Sequence, residues 1–279
     1  MKYCINYSNK SHIIDKVDEI LIRYDKNKIL ELFTQFIPAH SNQRVIVQLI
    51  KEDDIDTIIN NLKKIISIYN ENENIKFDIQ LPFYNQKFIE ELKNTNLKYF
   101  FKTSADSWDK FTGLMSQNVS DIYITDELAF ELDKVAEIAH KNNIKVRIYP
   151  NIAQSKWDKL SDILKFFVRP EDIEIYESYV DVCEFYGDKA QQIDTYYKIY
   201  QEDKKWFGDL QEIIIGLDSK IDSRYIIPRF AEKRIKCGKD CLKSGKCEMC
   251  KRILDLSEQL ENAHLIVQID KEKGEIDET

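Results

Sequence analysis

The chain has 279 residues, 43% of them hydrophobic, which is enough for one large domain or two ordinary ones. It contains no run of about 18 apolar residues that could cross a bilayer. Its net charge of −8 is uneven: ten Lys or Arg against three acids between Arg224 and Arg252 put +7 there and leave −15 (−8 less +7) on the remainder. Only seven glycines occur, none of them in a G-x-G-x-x-G or P-loop pattern, which excludes the common nucleotide cradles.

The opening stretch, MKYCINYSNK, has neither a long apolar run nor a small-residue cleavage site, so the chain reads as cytosolic. Within it, KYCINY is a candidate extra strand closing the bottom of a barrel. Eight β-branched or aromatic runs follow: 17–24, 44–50, 75–82, 97–103, 120–125, 144–150, 163–169 and 179–185. Near-continuous apolar runs are expected of strands buried on both faces, as in parallel sheets.

Helical periodicity fills the gaps. Ile55, Ile58, Ile59, Leu62, Ile65, Ile66 and Tyr69 share one stripe, and Leu128, Leu132, Val135 and Ile138 share another, opened by Asp126 and Glu127. Pro170 suits the first helical position of a short helix over 171–178. Strands alternating with helices predict an α/β chain, a (β/α)8 TIM-like barrel over about 17–187. A doubly wound open sheet is the competing reading, but its Gly-rich first turn is missing. The domain reading is a barrel over 1–189 and a C-terminal helical extension over 190–279, packed on the barrel and carrying a four-cysteine loop. The charged ending, DKEKGEIDET, reads as a fraying tail.

Two stretches, VSDIYITDELAFELDKVAEIAHKNNIKVRIYPNIAQ and KFFVRPEDIEIYESYVDVCEF, resemble the TIM-barrel proteins of the peptidase U32 family over about a quarter of the chain. That family includes proteases and iron–sulfur hydroxylases of RNA and of quinone precursors, so the resemblance implies a barrel with related chemistry. The pattern departs from the family in its cysteines, which are widely spaced there and gathered in one loop here. No catalytic residue is carried over.

That loop is KCGKDCLKSGKCEMC, residues 236–250. In a reducing compartment clustered thiols are more often metal ligands than disulfides. Cys237, Cys241, Cys247 and Cys250 follow a C-x3-C-x5-C-x2-C spacing that lets one loop wrap a single centre. The expected cofactor is one Cys4-bound metal centre, either zinc or [4Fe–4S]. Either leaves the four thiolates with roughly −2, which Lys236, Lys239, Lys243, Lys246 and Lys251 would offset. Cys4 and Cys183 stand apart in strand contexts and read as small core residues. The four histidines form no H-E-x-x-H pair.

A TIM barrel carries its active site where the strands end. The last inward candidates are Arg23, Gln48, Gln80, Lys102, Thr125, Tyr149, Arg169 and Glu184, with Asp78 and Arg147 one step further in. Arg23, Lys102, Arg169 and Glu184 are the candidate catalytic residues. Two arginines and a lysine suit an anion, and a single clear acid does not suit a two-carboxylate glycosidase. The same side chains could instead form an interior salt-bridge network, with Arg169–Glu184 its obvious pair. The basic stretch 224–252 could contact RNA, with Tyr225 and Phe230 for stacking, or merely neutralise the thiolates. Two functions therefore stay open. One is a metal-binding barrel enzyme acting on an anionic small molecule or RNA, with no membrane partner. The other is a non-catalytic binding or structural protein whose extension is stapled by zinc.

Overall fold

The structure is a computed structural model, and it describes residues 1–6, 14–23, 25, 43–49, 55–69, 77–81, 90–91, 93–94, 98–115, 119–125, 128–153, 165–187, 190–218, 220–226, 230–237, 250, 252–253, 255–256 and 259. Eight parallel strands close into a barrel in sequence order. They are β1 (Lys2–Asn6), β2 (Glu19–Arg23), β3 (Arg44–Gln48), β4 (Phe77–Leu81), β5 (Lys98–Ala105), β6 (Asp121–Ile124), β7 (Lys145–Ile148) and β8 (Val182–Phe185). Closure is made by β1, which pairs with β2 on one side and β8 on the other. A closed barrel leaves no unpaired strand edge.

The strand count is as expected, but one member differs. KYCINY is not an accessory strand: it is β1, in register with β8 through Cys4↔Glu184. The run 163–169 is not a barrel strand over its described part, 165–169. With β1 in the eighth place, no edge remains for it to pair with. Its Phe166, Phe167 and Val168 are instead buried in the outer core.

Helices cover the outside. They are α1 (Ile55–Tyr69), α2 (Trp108–Met115), α3 (Leu132–Lys141), α4 (Ile173–Tyr176), α5 (Ala190–Tyr197) and α6 (Phe230–Ile235). In α3 the buried stripe is Leu132, Val135, Ala136 and Ala139, at helical spacing. Ile138, expected on that stripe, is 36% exposed. Pro170 takes the expected first position, in a 3-10 turn (Pro170–Asp172) that runs into the single turn of α4. Burying each large apolar side chain of this outer layer contributes about 1.5–3 kcal/mol.

The extension packs on the barrel's closing edge. Tyr197 meets Tyr3 and Phe185 edge-on, and its hydroxyl donates to the Lys16 carbonyl at 3.0 Å. Tyr200 is fully buried and donates to the Val168 carbonyl at 2.6 Å. Residues from β1 to Ile253 thus share one outer core. No helix among the described residues is long and apolar enough to cross a membrane.

Candidate active site at the barrel mouth

Side chains alternate along each strand, so one apolar inward residue fixes which others face the interior. Cys4, Leu21, Ile46 and Val182 form a small buried cluster separate from the outer core, which places them inside the barrel. The same phase turns Glu19 and Arg23 inward on β2, Arg44 and Gln48 on β3, and Glu184 on β8. Register then adds Asp78 opposite Ile46, Gln80 opposite Gln48, Arg147 opposite Val182, and Tyr123 opposite Arg147. A barrel interior is ordinarily filled by branched aliphatic residues. This one is mostly polar.

The polar groups fall into two layers. Near the amino ends of the strands, Arg147 donates to Asp121 at 2.8 Å and to Glu19 at 2.7 Å. Arg44 donates to the second Glu19 oxygen at 3.0 Å and also to Asp78. Burial pushes the Asp121 carboxyl up, but Arg147 and Arg44 outweigh it and hold the group below its ordinary value. These residues are the floor.

Near the carboxyl ends lies a second cluster. Tyr123 donates its hydroxyl to Glu184, which is 1% exposed. Tyr149, just past β7, stacks on Tyr123 with ring centroids 5.0 Å apart. Burial, reinforced by the nearby Glu184 carboxylate, raises both phenols far above their ordinary value, so each keeps its proton. Gln80 is fully buried, and neither its amide oxygen nor its amide nitrogen has a hydrogen-bond partner among the described residues. Asn151 pins the two loop starts together: its amide donates to the Tyr186 carbonyl at 2.6 Å and accepts from the Tyr186 N–H at 3.1 Å.

The four candidate catalytic residues do not converge. Glu184 is in the mouth cluster, and Arg23 is exposed at the carboxyl end of β2. Lys102 is not a strand end. Strand β5 runs on to Ala105, and its backbone there pairs with Asp121, the first residue of β6. Its side chain lies outside the described residues. Arg169 is not on a barrel strand. It precedes the 3-10 turn and is forked onto Asp172 at 2.6 and 2.9 Å, with Glu171 at 3.1 Å and the Ser223 carbonyl at 3.3 Å. The expected Arg169–Glu184 pair is therefore absent, because the run that carries Arg169 never enters the sheet. An interior ion network does exist, but Glu19, Arg44 and Asp121, all first residues of their strands, build it with Asp78 and Arg147. The inward phase set by Leu21 and Ile46 was the signal that could have found them.

The thiols divide likewise. Cys4 and Cys183 are fully buried, and burial drives the Cys183 thiol well above its ordinary value, as suits core residues. Cys237 follows α6 with its N–H donating to the Arg234 carbonyl at 3.1 Å. Cys237 and Cys250 both pack, partly buried, against the outer core. Cys241 and Cys247 lie outside the described residues. Among the described residues no three His, Cys, Asp or Glu side chains gather as a metal site.

The basic stretch is less open to nucleic acid than its composition suggests. Phe230, expected to stack on bases, is buried in the core. Arg224 is engaged with Asp222, which accepts at 2.9 and 3.0 Å. Arg234 is fully buried; burial lowers its pKa against the opposing influence of Tyr176, Cys250, Cys237 and Asp172.

No protein-family model matches the chain, and no curated protein does. Among solved structures, it is similar to an aldose reductase from Giardia lamblia at 10% identity, covering 73% of this chain and 89% of that one, with a TM-score of 0.45. It is also similar to a conserved protein of unknown function from Enterococcus faecalis, at 10% identity over 75% and 68% of the two chains, TM-score 0.40. Likeness at this level carries no functional argument, and the eight-strand parallel barrel rests on its own pairing.

Proposed function

We propose that the chain is a barrel enzyme acting on an anionic small molecule, with the mouth cluster as its reaction centre and a four-thiolate metal centre in its extension. The carrying observation is Glu184: a carboxylate buried under the carboxyl ends of the strands, held by a phenol that keeps its proton. A buried acid of this kind suits general acid or base work on a substrate entering from above. Tyr123 fixes the carboxylate's orientation, and Tyr149 offers a second protonated hydroxyl beside it. Gln80 presents an amide N–H group for a bound carbonyl or carboxylate and an amide oxygen for a bound hydroxyl. Arg23 at the rim supplies charge for drawing in an anion. A small molecule is favoured over RNA because Phe230 and Arg234 are internal and Arg224 is paired.

In the extension, Cys237, Cys241, Cys247 and Cys250 would hold the metal. A cationic core residue and two thiols sharing one packed surface fit an anionic thiolate centre. Zinc there would serve folding, and a [4Fe–4S] cluster would supply electron transfer. The resemblance to the peptidase U32 family supports the barrel and the iron–sulfur alternative, and no role at the mouth rests on it.

The test is thermal stabilisation by inorganic phosphate and by malonate, since a ligand bound only to the native state raises stability in proportion to its occupancy. Wild-type protein is expected to gain Tm with at least one of them, Arg23→Met to lose the gain, and Arg169→Met, if folded, to keep it. Glu184→Gln should retain the fold. No shift with either anion would falsify the anion-binding mouth.

A further inference from the structure

The buried guanidinium of Arg234 carries an inference of its own. It sits among Phe167, Phe230, Phe130 and Phe166, with ring centroids 4.6, 4.9, 5.0 and 6.0 Å from its central carbon. One terminal nitrogen donates to the Lys165 carbonyl. The other, with Nε, has no hydrogen-bond partner among the described residues. Ring faces offset part of the cost of burying a cation, but they fill no donor and cancel no charge.

The neighbouring groups do not provide the missing anion. Asp172 has both oxygens committed to Arg169. The Tyr176 phenol is raised by burial and stays neutral. Among the described residues Arg234 makes no ion pair. What remains beside it is the pair formed by the first and last thiols of the four-cysteine stretch, Cys237 and Cys250. Cys237 is bonded through its N–H to the Arg234 carbonyl, and Cys250 packs against the same core.

We infer that Arg234 is the positioning residue of the thiolate centre: with metal bound, its two open donors would take the sulfurs of Cys237 and Cys250, to neither of which they are hydrogen-bonded here. Guanidinium N–H groups bonded to thiolate sulfur spread the negative charge of the centre and fix the orientation of its ligands. They would also tie Cys237 and Cys250 to the core through the four phenylalanines. Lys236 cannot substitute for this, since it is exposed and an exposed ammonium is screened by water. The inference rests on the four-thiol metal reading. Groups that support metal ligands in this way contribute about 10- to 100-fold to metal affinity.

The experiment is a chelator challenge of the protein as purified without oxygen, following zinc and iron retained per chain, with far-UV circular dichroism as a check on the barrel. Arg234→Met, apolar and able to fill the aromatic box, should lose half its metal at about 10- to 100-fold less chelator than wild type. Arg234→Lys, which keeps the charge but not the fork, should fall between them. Lys236→Met, removing an exposed charge next to Cys237, should behave as wild type. If Arg234→Met folds and retains metal as wild type does, the inference is overturned and Arg234 is a core cation only. If Lys236→Met weakens the metal as much as Arg234→Met, general charge is responsible and the inference fails as well. If the wild type carries no metal at all, the four-thiol reading falls and takes this inference with it. Should Arg234→Met fail to fold, the comparison of Arg234→Lys with wild type decides, since equal retention overturns the role of the fork.

Discussion

The floor and the mouth of the barrel are both polar and both buried, yet they are built on opposite terms. On the floor, two arginines and three carboxylates interlock, each acid held by at least one guanidinium. At the mouth, a carboxylate is held by a neutral phenol, and an amide on β4, across the barrel, has neither of its polar atoms paired among the described residues. A network in which every carboxylate meets a guanidinium is suited to holding strands in place. A cluster with open hydrogen-bonding capacity is suited to receiving something else. The division matches the general asymmetry of parallel barrels, with stability at the amino ends and chemistry at the carboxyl ends.

The sharpest way to break this comparison is at the floor. Arg147→Met would leave buried Glu19 and Asp121 with Arg44 alone, and removing one partner of a buried ion pair costs about 3–5 kcal/mol. Urea unfolding would show that loss, and a cost near zero would mean the floor carries no structural weight. The same network sets an acid limit. Asp121 is held below its ordinary value in the folded chain, so its contribution is present above the unfolded value and is lost as pH falls through the folded one. Tm should therefore drop as pH is lowered past the ordinary aspartate range, and Asp121→Asn should flatten that drop.

At the mouth the expected change is smaller. Tyr123→Phe removes one hydrogen bond to a charged acceptor, worth about 1.5–3 kcal/mol, while it should disturb anion-dependent stabilisation through Glu184. A stability loss as large as that of Arg147→Met would erase the distinction between the layers. Smallest of all is Lys141→Ala, which breaks the exposed pair with Glu137 at 2.7 Å and should leave Tm unchanged within error.

Much of this arrangement can be read from residue order, and the exceptions have physical causes. Runs such as RVIVQ and DIYI announce strands because both faces are covered, and seven of the eight expected runs are barrel strands. The run KFFVR has the same composition and is not one. A buried apolar segment can satisfy its side chains against a sheet or against helices, and composition does not distinguish the two. Glu184, Gln80 and Tyr149 were reachable by counting back from strand ends. Lys102 was misplaced because β5 extends beyond its apolar stretch through Ser104 and Ala105. Arg234 is read from sequence as one more charge in a basic stretch; only packing makes it a buried cation among four rings.

The sequence alone therefore determines the local and periodic properties of this protein: alternating strand and helix signals, the thiol spacing, and the absence of a glycine cradle. These depend on neighbours a few residues apart. Tertiary structure decides which strand closes the barrel, which charges meet across the interior, and which arginine is drawn inside. Those outcomes depend on residues far apart in the chain, such as Glu19 and Arg147, or Cys4 and Glu184, whose contact exists only once the sheet has curled on itself.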